Sequence, residues 1–213
     1  MQWSDKWWGA NPMKRVFDIL LALIGLIVTA PIIIGITIAI LWRDGGPVFY
    51  VAERMKTPDQ AFNLIKFRTM SNVPHDQNGG VTGGDKSNRI TPIGRKLRRY
   101  RLDELPQFIN VLRGDMGFVG PRPPLRQYTA AFPQLYERVL QSRPGVTGLA
   151  SLHYHRHKER LIASAKTPAQ TETIYATRCI PRKAALDLIY QRHASVCFNA
   201  TIIWQTLCRV LKR

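Results

Sequence analysis

The chain has 213 residues, enough for one compact domain or for one domain with an appendage. Lys and Arg number 31 against 14 Asp and Glu, a formal net charge of +17, while 45% of the residues are apolar. The apolar content excludes disorder as the main state, and the charge surplus calls for a polyanionic partner: nucleic acid, anionic lipid or a phosphorylated substrate.

The first predicted element is a run of 24 uncharged residues, Ile19 to Trp42, preceded by Lys14, Arg15 and Asp18 and followed by Arg43 and Asp44. As a straight helix it reaches about 36 Å, against a hydrocarbon core of about 30 Å. Helices apolar on all sides are rarely this long outside membranes, and no small-residue cleavage site follows Trp42. Pro31 lies mid-run, where it removes a backbone hydrogen bond and kinks the helix into arms too short to span alone. The hydroxyl of Thr29 offers partial repair. Basic residues on both sides pull both ends toward the cytoplasm. A bent, re-entrant hairpin in one leaflet satisfies both pulls; a kinked spanning helix is the alternative. Trp3, Trp7, Trp8 and Trp42 suit the headgroup level.

After the break at Gly45-Gly46-Pro47, Val48–Val51 and Phe62–Phe67 read as the strands of a short hairpin turning at Thr57-Pro58-Asp59-Gln60. Ser71 to Asn88 is rich in Gly, Asn and Asp and reads as a loop. Its Gly79, Gly84, Lys86 and Ser87 fail the spacing of a phosphate-cradling loop, because Asp85 separates glycine from lysine. Leu105, Phe108, Ile109 and Leu112 form one apolar helical face, opened by Asp103 and Glu104 and ended by Gly114. Gly117 to Pro124 reads as a stiff loop whose prolines brace Arg122. Near the C-terminus, Val196, Ile203, Leu207 and Val210 recur at helical spacing, with Trp204, Arg209, Lys212 and Arg213. That helix either lies flat on a membrane or faces a core. Cys179, Cys197 and Cys208 are odd in number and lack zinc-ligand spacing, which fits a reducing compartment.

Three side-chain groups bear on chemistry. Asp103 and Glu104 are adjacent, so on a helix they point about 100° apart and cannot flank a sugar as a glycosidase pair does. They can share a metal, divide roles between nucleophile and orienting group, or simply cap a first turn. Arg89, Arg95, Lys96, Arg98, Arg99 and Arg101 crowd the stretch before them, with Lys66 on the hairpin and Arg122 on its loop. Guanidinium forks match phosphate oxygens; the same charges also attract anionic lipid. His153, His155 and His157 would share one face of a strand, yet no nearby carboxylate or Cys completes a tetrahedral metal set.

The stretch R-L-D-E-L-P-Q-F-I-N-V-L-R-G-D-M-G-F-V-G-P-R-P, Arg101 to Pro123, closely resembles the signature of the bacterial sugar transferases, the monotopic polyprenyl-phosphate phosphoglycosyl transferases. M-K-R-V-F-D (Met13 to Asp18), K-F-R-T-M (Lys66 to Met70), R-I-T-P-I-G-R-K-L-R (Arg89 to Arg98), R-P-G-V-T-G-L-A (Arg143 to Ala150) and L-D-L-I-Y (Leu186 to Tyr190) look like further family motifs. The resemblance runs from about Met13 to Cys208.

The resemblance implies a mostly α, α+β fold: a proline-kinked re-entrant membrane helix, amphipathic interfacial helices and a small β-hairpin. Residues 1–43 would form the membrane-associated segment and 44–213 a catalytic domain on the cytoplasmic face of the bacterial inner membrane. It implies transfer of a phosphosugar from a UDP-sugar to polyprenyl phosphate, with release of UMP. Asp103 matches the family nucleophile and Glu104 the second acid of the dyad. Mg²⁺ is the implied cofactor, with Asp103 as its ligand. Arg98 and Arg122 match phosphate-holding positions, Lys66 and Asp187 match further active-site positions, and Pro31 matches the family's kink. The implied partners are UDP-sugar, polyprenyl phosphate and anionic lipid, not nucleic acid. A non-catalytic, membrane-anchored polyanion binder is the competing reading, but it gives no reason for an acidic pair amid basic residues. The chain departs from the family at Ser151, where Gln is common, and in the His-rich stretch that follows it. Met55, Pro124 and Asn199 are further departures. They leave the dyad untouched and bear on which sugar is carried.

Overall fold

The computed structural model describes residues 12–71 and 89–212. The expectations for Trp3, Trp7, Trp8, Arg213 and nearly all of the Gly-rich stretch after Ser71 lie outside the described residues.

Helix α1, Pro12–Asp44, is continuous in its backbone through Pro31. The Thr29 hydroxyl donates to the carbonyl of Gly25 at 2.6 Å, so it does not replace the bond that Pro31 withholds from Ile27, four residues earlier. Much of α1 is exposed and apolar, including Leu20, Ile24, Ile27, Val28, Ile34, Ile38 and Trp42. Its other side packs on the rest of the chain from end to end. Arg15 donates to the carbonyls of Val111 and Leu112 at 2.6 and 2.9 Å, and Asp18 accepts from the Phe118 amide at 3.2 Å. Farther along, Gly25 sits against the Phe108 ring, and Ile36 and Ile40 join a cluster with Phe67 and Leu97.

The hairpin is present, with strands β1, Phe49–Met55, and β2, Ala61–Phe67, antiparallel and longer than the alternation implied. Its turn is closed by the Lys56 and Thr57 amides donating to the Gln60 carbonyl at 2.7 and 3.2 Å. Helix α2, Pro92–Arg99, starts at the Thr91 cap, whose hydroxyl accepts from the Gly94 amide, and ends in Lys96, Arg98 and Arg99, which complement its dipole. A 3-10 turn, Leu102–Glu104, precedes helix α3, Gln107–Arg113, which ends at Gly114 in the left-handed conformation, φ 85°. The acidic pair therefore sits on its own turn ahead of α3, not in the first turn of the helix as the apolar spacing implied. The apolar face is real but divided. Leu105 packs with the Phe67 cluster, while Phe108 and Leu112 pack with the central core of Ala22, Phe62, Leu64, Val111, Met116 and Phe118.

The stretch after Gly114 corrects the sequence reading of a loop. Gly117–Val119 is a strand, β3, paired in parallel with β4, Gly145–Thr147. Between them lie α4, Arg126–Ala131, and α5, Pro133–Val139. Three-residue strands carry too little alternation to be read from sequence. Then follow α6, Leu149–His153; α7, His155–Ala163; and α8, Pro168–Ile174. A π-helical turn, Tyr175–Cys179, joins α8 to α9, Ile180–His193. The last helix is α10, Val196–Leu211. It buries Asn199 and Ile202 and leaves Trp204, Leu207 and Leu211 exposed. It thus both faces the core and presents an apolar outer side. The buried anchor is Ile202, one position off the recurrence read from sequence.

The β3–β4 crossing depends on bare backbone. A Cβ on Gly120 would meet the Arg143 carbonyl at 2.1 Å, and one on Gly148 would meet the Gly120 carbonyl at 2.1 Å. Around Gly35, by contrast, nothing lies within 4 Å. Gly120→Ala should lower stability by about 3 kcal/mol or more, the range of forced overpacking. Gly35→Ala should be neutral or raise it by up to about 1 kcal/mol. Thermal unfolding of the detergent-solubilised variants measures both.

Candidate active site

Four segments converge on the acidic pair. β2 carries Lys66, and its register is fixed by the fully buried Asn110 of α3, whose side chain accepts from the Ile65 amide at 3.0 Å and donates to the Asn63 carbonyl at 2.7 Å. The loop Pro121–Pro124 carries Arg122. It is clamped at both ends, by the Gly145 amide on the Pro121 carbonyl at 2.9 Å and the Met55 amide on the Pro124 carbonyl at 3.0 Å. α2 carries Arg98, whose Nε donates to the Thr69 hydroxyl at 2.8 Å. Arg101 links α2 to the 3-10 turn in a left-handed conformation, φ 56°, a cost of roughly 1–2 kcal/mol for a residue with a side chain.

Glu104 is the hub. Its Oε1 accepts from Lys66 Nζ at 3.0 Å and from Arg122 at 2.8 Å, and its Oε2 accepts from Arg101 at 2.7 Å. Burial alone would push this carboxyl up, but Arg122, Lys66 and Arg101 outweigh it and hold Glu104 well below the usual carboxylate range. The same carboxylate holds the Arg122 guanidinium up. Lys66 is pulled down by burial and by Arg122, against the attraction of Glu104 and Asp103.

Asp103 differs in kind. Among the described residues its carboxylate has no hydrogen bond and no ion pair. Burial and the neighbouring Glu104 charge raise it above the usual Asp range, while Lys66, Arg98 and Arg101 act the other way. It is thus a partly exposed, uncommitted carboxylate ringed by cations. The structure assembles Lys66, Arg98, Asp103, Glu104 and Arg122 as the sequence motifs imply. Arg101 is added to them; only its place in the basic run singled it out in sequence.

Pro31 lies in α1, apart from these groups. Among the described residues Asp187, on α9, makes no hydrogen bond or ion pair with the acidic pair. It is buried, its Oδ1 lacks a hydrogen-bond partner, and Lys183, one turn earlier, is the charge that acts on it. The three histidines are on helices, not a strand. His155 pairs with Glu159 at 3.2 Å, and His157 Nε2 lies 3.2 Å from Arg182. Among the described residues no group of three or more His, Cys, Asp or Glu could hold a metal ion.

Burial pushes the Asp187 carboxyl up to about 7, with Lys183 opposing. A carboxyl held above its unfolded value stabilises the fold at low pH, and that contribution is lost as pH rises through about 7. Asp187→Asn removes the titration. Its unfolding free energy relative to the parent should therefore climb between pH 5 and pH 8, by on the order of 3 kcal/mol. Thermal unfolding at the two pH values measures it.

Comparison with known proteins agrees with this geometry. The family model for Bacterial sugar transferase matches residues 9–213. The chain is 31% identical over 208 residues to the exopolysaccharide production protein ExoY of Sinorhizobium fredii, covering 91% of this chain and 83% of that protein. It is 33% identical to the UDP-glucose:undecaprenyl-phosphate glucose-1-phosphate transferase of Escherichia coli, covering 92% of this chain and 39% of that protein. It is 32% identical to the undecaprenyl-phosphate glucose phosphotransferase of Komagataeibacter xylinus, covering 92% of this chain and 35% of that protein. The chain thus spans most of the first relative but little more than a third of the other two. With the acidic pair, its arginines and the apolar helix in place, and with nearly the whole length matched, the chain belongs to the bacterial sugar transferase family.

Proposed function

We propose that this chain transfers a phosphosugar from a UDP-sugar to a polyprenyl phosphate such as undecaprenyl phosphate, releasing UMP, as the first membrane step of a bacterial glycan pathway. The names of the E. coli and K. xylinus relatives support the reaction class. The observation that carries it is the division of labour in the dyad, an unpaired Asp103 beside a Glu104 saturated by three cations.

Asp103 is the nucleophile. Its oxygen attacks the sugar-bearing phosphorus, and the phosphosugar is held on the enzyme as an acyl phosphate until the lipid phosphate displaces it. The ring of Lys66, Arg98, Arg101 and Arg122 neutralises the phosphate oxygens that would otherwise repel an attacking carboxylate. Glu104 is too strongly held by cations to attack. It fixes Lys66, Arg101 and Arg122 in register and keeps their net charge low enough for product to leave. Mg²⁺ fits the donor set: it commonly binds through one or two carboxylates plus substrate phosphates, and Asp103 is the uncommitted carboxylate. When bound it would add positive charge on the diphosphate.

The membrane reading rests on α1. Both ends of this helix bind the same polar body, through Arg15 and Asp18 at one end and through Arg68, which donates to the carbonyls of Asp44, Gly45 and Gly46, at the other. A spanning helix would carry that body's charges through hydrocarbon. A helix entering one leaflet, with α10 beside it presenting Trp204, Leu207 and Leu211, keeps the body on the cytoplasmic face of the inner membrane. The charge of +17 then meets anionic headgroups.

Asp103→Asn should reduce UMP release by at least about 1,000-fold with little change in melting temperature. Glu104→Gln should cost about 3 kcal/mol of stability as well, since it strips the partner from three cations. Parallel UMP assays across a panel of UDP-sugars and thermal unfolding measure the contrast; equal UMP release by Asp103→Asn and the parent would remove the nucleophile. For topology, Asp5→Cys in a background lacking Cys197 and Cys208 should resist an impermeant thiol reagent applied to intact cells. Ready labelling would mean a spanning helix.

A further inference from the structure

Beside the acidic pair, α7 and α8 enclose a cleft of about 670 Å³, within the range of small-molecule sites. Arg98 lines it, and the same arginine acts on the charge of Asp103. The cleft therefore shares one wall residue with the ring of cations around Asp103. Its charged lining is completed by Lys158, Lys166 and the carboxylate of Glu159, and Ile162, Ala163 and Pro168 give it an apolar wall.

The Lys158 ammonium lies in the positive field of two other cations, Lys183 and Arg122. Arg122 is bound to Glu104. Lys183 donates to the Tyr175 hydroxyl at 3.0 Å and lies 5.3 Å from the centre of its ring. The Lys158 ammonium has no hydrogen bond or ion pair among the described residues. Burial, with Lys183 and Arg122, brings its ammonium down to about 8, against a weaker pull from Glu159. Glu159 itself pairs with His155. A half-buried ammonium held against two like charges is stabilised by an anion.

We propose that this cleft receives the nucleoside monophosphate half of the donor, its phosphate on Lys158 and its base against the apolar wall. The proposal rests on the transferase reading above. In the first step an Asp103 oxygen forms a bond to the sugar-bearing phosphorus, and the bond from that phosphorus to the bridging oxygen breaks. The electron pair stays on the bridging oxygen, which becomes a terminal oxygen of the departing UMP. Lys158 neutralises the charge that builds there, so it acts on the first displacement and not on the second.

The test uses the full chain in detergent, with UMP as the probe. Lys158→Met should weaken UMP binding and slow UMP release from the donor, each by about ten-fold or more, the worth of one charge-assisted hydrogen bond. Lys158→Arg should restore most of both. Transfer from the preloaded phosphosugar enzyme to polyprenyl phosphate should be unchanged in either variant, and inorganic phosphate should compete with UMP poorly. UMP affinity and release equal to the parent in Lys158→Met would overturn the pocket while leaving the transferase standing. So would an equal loss at both displacements, which marks a structural role, or inorganic phosphate competing as well as UMP. Lys158-dependent UMP binding in a protein that turns over no UDP-sugar would support the pocket and remove the transferase.

Discussion

Everything at the site depends on one buried carboxylate meeting three cations. Glu104 draws Lys66 from the hairpin, Arg101 from the bend after α2 and Arg122 from the proline-braced loop onto a single pair of oxygens. Three separate stretches of chain are thereby fixed at one point. Unpaired, the cations would repel one another and Glu104 could not stay buried and ionised. Because this residue absorbs the contacts, its neighbour keeps its carboxylate uncommitted in the same positive field. Two adjacent acids of similar intrinsic strength become a structural anion and an uncommitted carboxylate through environment alone.

The second constraint is the anchoring of α1. Its outer side is as apolar as lipid, while its inner side carries Arg15, Asp18 and the small residues Ala22 and Gly25 where other elements press close. Gly25 admits Phe108 of α3, the helix that follows the acidic pair. The apolar helix and the element that follows the acidic pair are thus linked by direct packing. On the proposed function, that packing would let a water-soluble donor and a membrane-bound acceptor reach one carboxylate.

Charge in this chain is segregated by partner. Around Glu104 it is neutralised internally, and around Lys158 it is not. The remaining basic surface near α2, with Lys96 and Arg99 in its last turn, faces outward. The surplus of +17 is therefore several separate requirements for anions and not one patch. Simple polyanion binding would not bury an acid at the centre of its cations.

Local pattern determined a good deal by itself. A long apolar run, a hairpin turning at Pro58, the Thr91-Pro92 helix start and the Gly114 stop are decided by neighbouring residues, so they are legible along the chain. The ordered motif from Arg101 to Pro123 likewise named the family and the dyad. What only the tertiary structure decided is how those pieces meet. The three-residue strands β3 and β4 exist through pairing with each other across two helices. The 3-10 turn that separates Asp103 from α3 follows from the left-handed bend at Arg101, which no periodicity encodes. Ile202 is the apolar residue of α10 that is fully buried, with Ile203 only partly buried against the same core, because that core is supplied by distant segments. Which carboxylate is paired and which is left uncommitted is likewise set by Lys66 and Arg122, 38 and 18 residues from Glu104. Electrostatic environment is a property of distance in space, and adjacency in sequence does not contain it.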